Sequence, residues 1–420
     1  MSDVRSALVI GGGIAGPVTA TALRKAGIDA TVYEAYPAPS EGIGGALALA
    51  PNGLAALRII GADDAVRQAS IPITRSVMSI GTSRVVMPRI EDLPPLHVIQ
   101  RVDLHSVLHE RADASGVRFD WGKRLVGVDD GPDGITASFA DGTTAAADVL
   151  IGADGVRSTV RSLIDAGAPA AGYTGLLGLE GCANVDLGLE PGTMTFAYGA
   201  RAYYIYWPLP GGGVWWGANL PSKQYLSLTE AREAPAQDWL RTLRDTYAGD
   251  VPGEILARST SPEALQVTGA LHIMPPVPRW HTGRMVLVGD AVHAPSNSSG
   301  QGASLAIESG IQLARCLRDA PDVASAFAAY EKLRRARVEK IAKRGAALNR
   351  TKSPGPVARR LLPLLMSLAF RVMPLERMFG AEQRYTIDWD ARVEAGLPST
   401  PMPDGMRHGG GLRRDRTADL

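Results

Sequence analysis

The stretch Ala7–Glu34, ALVIGGGIAGPVTATALRKAGIDATVYE, narrows the folds open to this chain more than any other. It begins with Ala7-Leu8-Val9-Ile10, a short apolar run of the kind buried as a parallel strand. Gly11-Gly12-Gly13-Ile14-Ala15-Gly16 follows, with Gly11, Gly13 and Gly16 in G-x-G-x-x-G spacing. In such a turn Gly11 makes the tight bend, Gly13 lets a pyrophosphate approach the backbone, and Gly16 lets helix and strand pack closely. The helix opening near Ala15 offers unpaired N–H groups to the phosphates, and Gly27 stops it. A second strand, Ala30–Tyr33, ends at Glu34, 18 residues past Gly16, where an acid can bind an adenosine ribose. The same glycines would suit a tight α/β turn without a ligand. The flanking strand, helix and acid favour a dinucleotide-binding unit, but they name neither the dinucleotide nor the chemistry.

Composition removes several other classes. With 420 residues, 45% hydrophobic and 21% charged, the chain reads as globular, in two or three domains of roughly 150 residues each. A net charge of +1 provides no field for nucleic acid or acidic partners. Cys182 and Cys316 stand far apart with no C-x-x-C, so neither a redox dithiol nor a metal site is expected. Both are expected as buried packing in a reducing, cytoplasmic protein. The first strand starts almost at once, so no signal peptide is expected. No apolar run reaches the ~20 residues of a membrane span. The nearest, Leu361–Met373, is interrupted by Pro363 and followed by Pro374.

After Glu34 comes a Pro/Gly-rich loop, then Ala46–Ala50 and a helix opened by Pro51-Asn52-Gly53. Short strands are expected over Ile71–Val98, and a helix from Arg101 with Leu104, Val107, Leu108 and Arg111 in helical spacing. The strand Asp148–Ala153 runs into Asp154-Gly155-Val156-Arg157-Ser158-Thr159-Val160-Arg161. From Thr174 to Leu271 alternating strands take over. Eight of the chain's 24 aromatic residues fall within the 26 positions Thr195–Leu220, which suits sheet packing and leaves some rings to wall a flat pocket. The α/β texture returns at Arg284–Val288. That strand feeds Gly289-Asp290, His293, Pro295 and Gly300-Gln301-Gly302, then a helix from Ala303, again a turn suited to anion or carbonyl binding. A long helix is expected over Ala324–Asn349. The eleven basic residues of Lys332–Arg360 read as a solvated face, with contact to an anionic membrane surface as the lesser alternative. Val357–Met373 is amphipathic, and Gly396–Leu420 has a disordered composition.

Taken together, three stretches resemble the FAD-dependent aromatic hydroxylases, the single-component flavoprotein monooxygenases. They are Gly11/Gly13/Gly16 with Glu34, then Asp154–Arg161, then Gly289-Asp290 with Gly300-Gln301-Gly302. The resemblance spans residues 1 to about 345. It implies a Rossmann-like α/β FAD-binding domain with an inserted mixed β-sheet substrate domain and C-terminal helices. The expected division is 1–70, 99–173 and 272–345 for the FAD domain, 71–98 and 174–271 for the substrate domain, 346–395 for C-terminal helices and 396–420 for a tail. It further implies that Gly11, Gly13, Ala15, Gly16 and Glu34 hold the ADP half of FAD. Asp154, Gly155 and Arg157 belong to a motif associated with FAD and NAD(P)H pyrophosphate. Asp290 faces the ribityl chain, with Gly289, Pro295, Gly300, Gly302 and Ala303 around the flavin. Arg101 matches the family's FAD-contacting arginine. Where the family has a proline three residues before the G-x-G, this chain has Asn297, a hydrogen-bond donor beside the expected reaction site.

The implied activity is an NAD(P)H- and O2-consuming monooxygenase acting through a flavin C4a-hydroperoxide on a hydrophobic, aromatic or polyketide-like small molecule, by hydroxylation or epoxidation. Arg201, Tyr203 and Asn297 are the candidate catalytic residues, the first two also reading as sheet-surface and packing residues. The alternative is an FAD-dependent reductase or dehydrogenase of the same fold that does not use oxygen. A monomer or homodimer is expected, with no nucleic-acid partner.

Overall fold

The computed structural model describes residues 4–38, 45–350 and 379–393. The loop positions 39–44, the expected amphipathic segment 357–373 and the expected tail lie outside them.

A six-stranded sheet forms the first layer, ordered His281–Thr282, Met285–Leu287, Val149–Gly152, Ser6–Ile10, Asp29–Glu34, Arg118–Trp121. All its pairings are parallel except that of the first two strands. Parallel strands are covered on both faces, and here Leu8, Val9, Val32, Leu150, Ile151, Val286 and Leu287 are buried without alternation. The helices Ala15–Lys25 and Gly302–Asp319 pack on each other against this sheet. Their closeness depends on Gly310, where a side chain would meet Thr19 Oγ1 at 2.3 Å.

A seven-stranded sheet forms the second body, ordered Thr260–Ile273, Gly172–Ala183, Val214–Pro221, Tyr203–Pro208, Thr193–Tyr198, Arg75–Ile80, Ser83–Val86. It is antiparallel apart from the parallel pairing of Thr193–Tyr198 with Arg75–Ile80. Strand alternation gives it two different faces. Tyr204, Tyr206, Trp216, Leu177 and Leu179 point into a core shared with Leu240, Leu243 and Tyr247 of the helix Ala236–Tyr247. Met194, Trp207 and Trp215 point the other way, into an apolar layer shared with a small sheet of Ala46–Leu49, Leu96–Gln100 and Ile71–Ile73. Trp207 and Trp215 stack there with ring centroids 3.8 Å apart, a contact of about 0.5–1.5 kcal/mol beyond its burial. The aromatic-rich stretch is thus divided between a helix-covered core and a face turned toward the first body.

Two expectations need correction. Cys316 is buried, but Cys182 is exposed, because Gly181 and Ala183 take the inward positions of its strand and alternation turns Cys182 outward. The basic run on the helix Val323–Arg350 is a solvated face only in part: Lys332, Lys340 and Lys343 are exposed, but four of its arginines are engaged. Arg334 is fully buried against Glu308, Arg337 pairs with the same carboxylate, Arg335 with Glu331 and Glu339, and Arg344 with Glu382. The acids that answer these cations lie mostly outside the run itself, so its local charge balance was misleading. Among the described residues no helix is long and apolar enough to cross a membrane.

Candidate cofactor and active site

Gly11 sits at φ +107°, and a side chain there would strike the Ala153 carbonyl oxygen at 2.5 Å and Asp154 Cα at 2.9 Å. A side chain at Gly16 would meet the Gly11 oxygen at 1.9 Å. At Gly13 nothing lies within 4 Å. Two glycines of the fingerprint therefore let chain pack on chain, and the third leaves the backbone open to a ligand. Glu34 ends its strand beside this turn. Its Oε2 accepts the Gly12 N–H at 2.6 Å and its Oε1 the Tyr36 N–H at 3.0 Å. His105 and His109, one turn apart on the helix Arg101–Ala114, both donate from Nε2 to the Gly12 carbonyl, at 2.9 and 2.7 Å. Burial lowers both imidazoles, His109 to about 4, so they stand neutral at neutral pH with the proton on Nε2. The i, i+4 spacing of the two histidines was visible in the sequence; their common acceptor was not.

The other two motifs converge on this turn. Gly155 takes φ +75°, and Asp154 Oδ2 accepts the N–H groups of Thr159 and Val160 at 2.7 and 3.1 Å. Asp154 thus caps the helix Thr159–Ile164, with Ser158 Oγ taking the Arg161 N–H at 2.9 Å. Arg157 is exposed and donates to the Tyr225 hydroxyl at 2.7 Å. The buried arginine of the motif is Arg161, which donates to the Ala291 carbonyl at 2.8 Å and to the Val156 carbonyl at 3.0 Å. That joins the second motif to the third. The third returns to the first at Gly289, φ +61°, where a side chain would lie 2.9 Å from Ala15 Cβ.

Asp290 follows on a short 3-10 turn, half-buried. Burial raises its carboxyl and the Arg101 charge lowers it; no hydrogen bond from a described residue offsets the burial. Such a carboxylate calls for donors from elsewhere. Gly300 closes the Asn297–Ser299 turn at φ +60°, Pro295 is buried against Gly302, and the helix Gly302–Asp319 begins there with Ala303 half-buried. This helix start is held by a buried polar cluster. Asn52 donates to Gln301 Oε1 at 2.9 Å and to Glu308 Oε1 at 2.7 Å, and Arg334 and Arg337 clasp Glu308 at 2.6 and 2.9 Å. His293, lowered to about 3 by burial and the Arg334 charge, hydrogen-bonds Ser309 Oγ through Nε2 at 2.8 Å. It is a neutral structural group.

The large sheet meets this turn directly. Asn297 Nδ2 donates to Asn219 Oδ1 at 3.3 Å. Asn219 is paired with Tyr203, and Tyr203 with Tyr198, so the three share one row of that face. Burial holds the Tyr203 hydroxyl well above its ordinary value, so it stays protonated and can donate but not act as a base. Arg201 does not join them. Its guanidinium caps the Thr246 and Ala248 carbonyls at 2.8 and 2.9 Å, at the end of the helix Ala236–Tyr247 on the opposite face. A residue not singled out from the sequence stands one row from Asn219. Glu180 Oε2 accepts the Ala46 N–H at 2.7 Å.

These residues fit FAD. An open turn at Gly13, a carboxylate at Asp290 with no described donor and a helix start at Gly302 lie around one junction of the two bodies. The FAD binding domain family matches residues 5–345. The chain is 30% identical to an aurachin C monooxygenase/isomerase of Stigmatella aurantiaca, over 78% of this chain and 84% of that protein. It is 31% identical to a 3-amino-4-hydroxybenzoate 2-monooxygenase of Streptomyces cremeus, over 82% and 87%. Klebsiella pneumoniae HpxO, solved with FAD and uric acid, superposes with a TM-score of 0.78 at 26% identity, over 91% of this chain and 97% of that one. The chain therefore belongs to the FAD binding domain family, among the FAD-dependent aromatic hydroxylases, and is an oxidoreductase with FAD as its cofactor.

Proposed function

We propose that this chain is a monooxygenase that uses NAD(P)H and O2 to place one oxygen atom on a flat, hydrophobic aromatic molecule. The observation that carries the reading is the Asn219–Asn297 contact at 3.3 Å, where an aromatic sheet face closes on the Gly300–Ala303 turn. When bound, FAD would supply the redox chemistry that links NAD(P)H oxidation to the use of O2. In this reading Gly11, Gly13, Ala15 and Gly16 cradle its pyrophosphate and Glu34 faces its ribose. Arg101 and Asp290 bind the linking chain, and the helix start at Gly302 and Ala303 favours negative charge on the reduced ring. Asp154, Gly155 and Gly289 shape the cradle from behind, Arg157 ties their motif to the Tyr225 hydroxyl, and Pro295 braces the turn. Tyr198, Phe196 and Ile205 wall the substrate and exclude water, while Asn297 and the protonated Tyr203 orient its polar group. Two relatives named for hydroxybenzoate and aurachin chemistry support an aromatic substrate. The protein works in the cytoplasm as a monomer or homodimer.

The test is a screen of phenolic and polycyclic compounds for those that accelerate NAD(P)H oxidation by the FAD-loaded protein, with O2 consumption and product mass followed together. A compound that speeds NAD(P)H oxidation, consumes O2 and gains one oxygen atom is the expected result. Reduction of a compound without O2 uptake would transfer the assignment to a reductase of the same fold.

A further inference from the structure

Glu180 stands where none of the three cofactor motifs reaches. It lies on the strand Gly172–Ala183, on the sheet face that carries Tyr203 and Asn219. In register it neighbours Gly217, and Gly217 pairs with Ile205. Glycine at 217 leaves that place in the row without a side chain, flanked by the Glu180 stem and the Trp215 ring at 3.3 and 2.9 Å from where a Cβ would stand. On the opposite side the carboxyl fills the space a side chain at Gly45 would need, 1.6 Å from that Cβ position, and so reaches the Ala46 N–H. A long acidic side chain is thus threaded between two glycines at the rim of the apolar layer that holds Trp207 and Trp215.

The charges around it link it to the cofactor junction. Arg101 acts on the Glu180 carboxyl and on Asp290, and Cys182 is the other titratable group facing Glu180. Burial pushes Glu180 up to about 8, against the lowering effect of the Ala46 N–H and Arg101. Oε2 is engaged with Ala46, and no described residue donates to Oε1. A carboxyl in an apolar wall, one oxygen anchored and the other with no donor among the described residues, titrating near working pH, has the attributes of a general base.

We propose that Glu180 is the catalytic base of this enzyme, taking the proton from the ring hydroxyl of a phenolic substrate. The substrate O–H bond breaks, its electron pair remains on the ring oxygen, and the proton forms an O–H bond at Glu180 Oε1. A phenol and a carboxylate become a phenolate and a neutral carboxyl, and the electron-rich phenolate ring is the better acceptor of an electrophilic oxygen atom. Asn219 and Tyr203, in the next row, orient the same ring. The inference rests on the monooxygenase reading for the reaction that follows the proton transfer, and not for the transfer itself.

The experiment uses the FAD-loaded protein, its Glu180→Gln and Glu180→Asp variants, and para-fluorophenol as probe, with para-fluoroanisole as the analogue that has no proton to give. Fluorine NMR reads the hydrogen bond from the bound hydroxyl to Glu180 across the pH range. Wild type is expected to show a bound-probe shift that steps as Glu180 ionises near 8, below the pH at which a free phenol ionises. E180Q should show no such step, and E180D a smaller one. Para-fluoroanisole should bind all three proteins alike and show no hydroxyl-dependent step. Turnover with any phenolic substrate from the screen should fall about 100-fold or more in E180Q. The same step in wild type and E180Q, or no bound probe in either, overturns the proposal. If E180Q failed to retain FAD, E180D would decide: an undiminished step overturns the proposal and a smaller one upholds it. If the bound hydroxyl senses Glu180 in wild type yet no aromatic compound supports O2 consumption, the oxygenation reading fails and the base remains. If aromatic-dependent oxygenation proceeds unchanged in E180Q, the base fails and the oxygenation reading stands.

Discussion

His105 and His109 stack with ring centroids 4.0 Å apart and both donate to one carbonyl, that of Gly12. Burial lowers His109 from 6.5 to about 4, while His105, itself lowered, and the Glu34 charge are the titratable neighbours it faces. An unfolded chain therefore binds a proton here at a pH where the folded one does not. Stability is fully present above 6.5 and is lost as pH falls toward 4. The thermal midpoint of the FAD-loaded protein should drop by several degrees over that window, at ~2–4 °C per kcal/mol. His109→Gln should flatten the acid limb. An acid limb identical in wild type and variant would remove His109 as its cause.

Gly16→Ala should abolish flavin retention. The added methyl meets a backbone oxygen at 1.9 Å, and a backbone oxygen has no rotamer by which to withdraw. Gly13→Ala meets nothing within 4 Å of the polypeptide, so the apoprotein should keep its thermal midpoint while FAD binds more weakly. Flavin absorbance relative to protein absorbance, with melting curves of both apoproteins, separates the two effects. Equal melting losses in the two variants would contradict the distinction.

Asp290→Ala should lose FAD without destabilising the apoprotein, since it removes a carboxylate that burial disfavours and no described donor satisfies. Hydrogen bonds to a charged group contribute about 1.5–3 kcal/mol, so affinity should fall roughly 10- to 150-fold. Recovery of the variant with stoichiometric yellow flavin would defeat the assignment of Asp290 to the ribityl chain.

Glu308→Ala should be the most damaging single change in the third motif. It leaves Arg334, fully buried, without its carboxylate partner, a loss of about 3–5 kcal/mol. Replacing Glu308 by Leu and Arg334 by Met together should recover much of that loss in chemical denaturation. Equal losses for the single and double variants would show that the pair is not coupled.

The parts of this molecule legible in its sequence are those fixed within a few residues. Gly16 is a glycine because of the Gly11 oxygen five residues before it, and the spacing states it, whereas Gly11 answers to Ala153 and Asp154 far along the chain. Strand alternation likewise announced an aromatic sheet with two faces. What stayed hidden depends on partners far along the chain. Arg201 reads as a pocket residue until Thr246 and Ala248 bring their carbonyls to it. Arg334 reads as surface until Glu308 meets it. His109 and Gly12 are 97 residues apart, and Asn52 and Glu308 256 apart. Glu180 gave no local signal, because its place is made by two absent side chains, at Gly45, just before one strand, and at Gly217, on another.

The six-stranded sheet also sets a schedule for the ribosome. Its strands run from Ser6 to Leu287, and the helix that packs on Ala15–Lys25 ends only at Asp319. A nascent chain that has exposed its first strand, helix and second strand still lacks the strands Val149–Gly152 and Met285–Leu287 and the Asp290 turn. Translation must reach Asp319 before those pieces meet. Flavin loading is therefore a late event in the life of each molecule, and chains truncated anywhere before that helix leave the exit tunnel as candidates for proteolysis, without a cofactor to protect them.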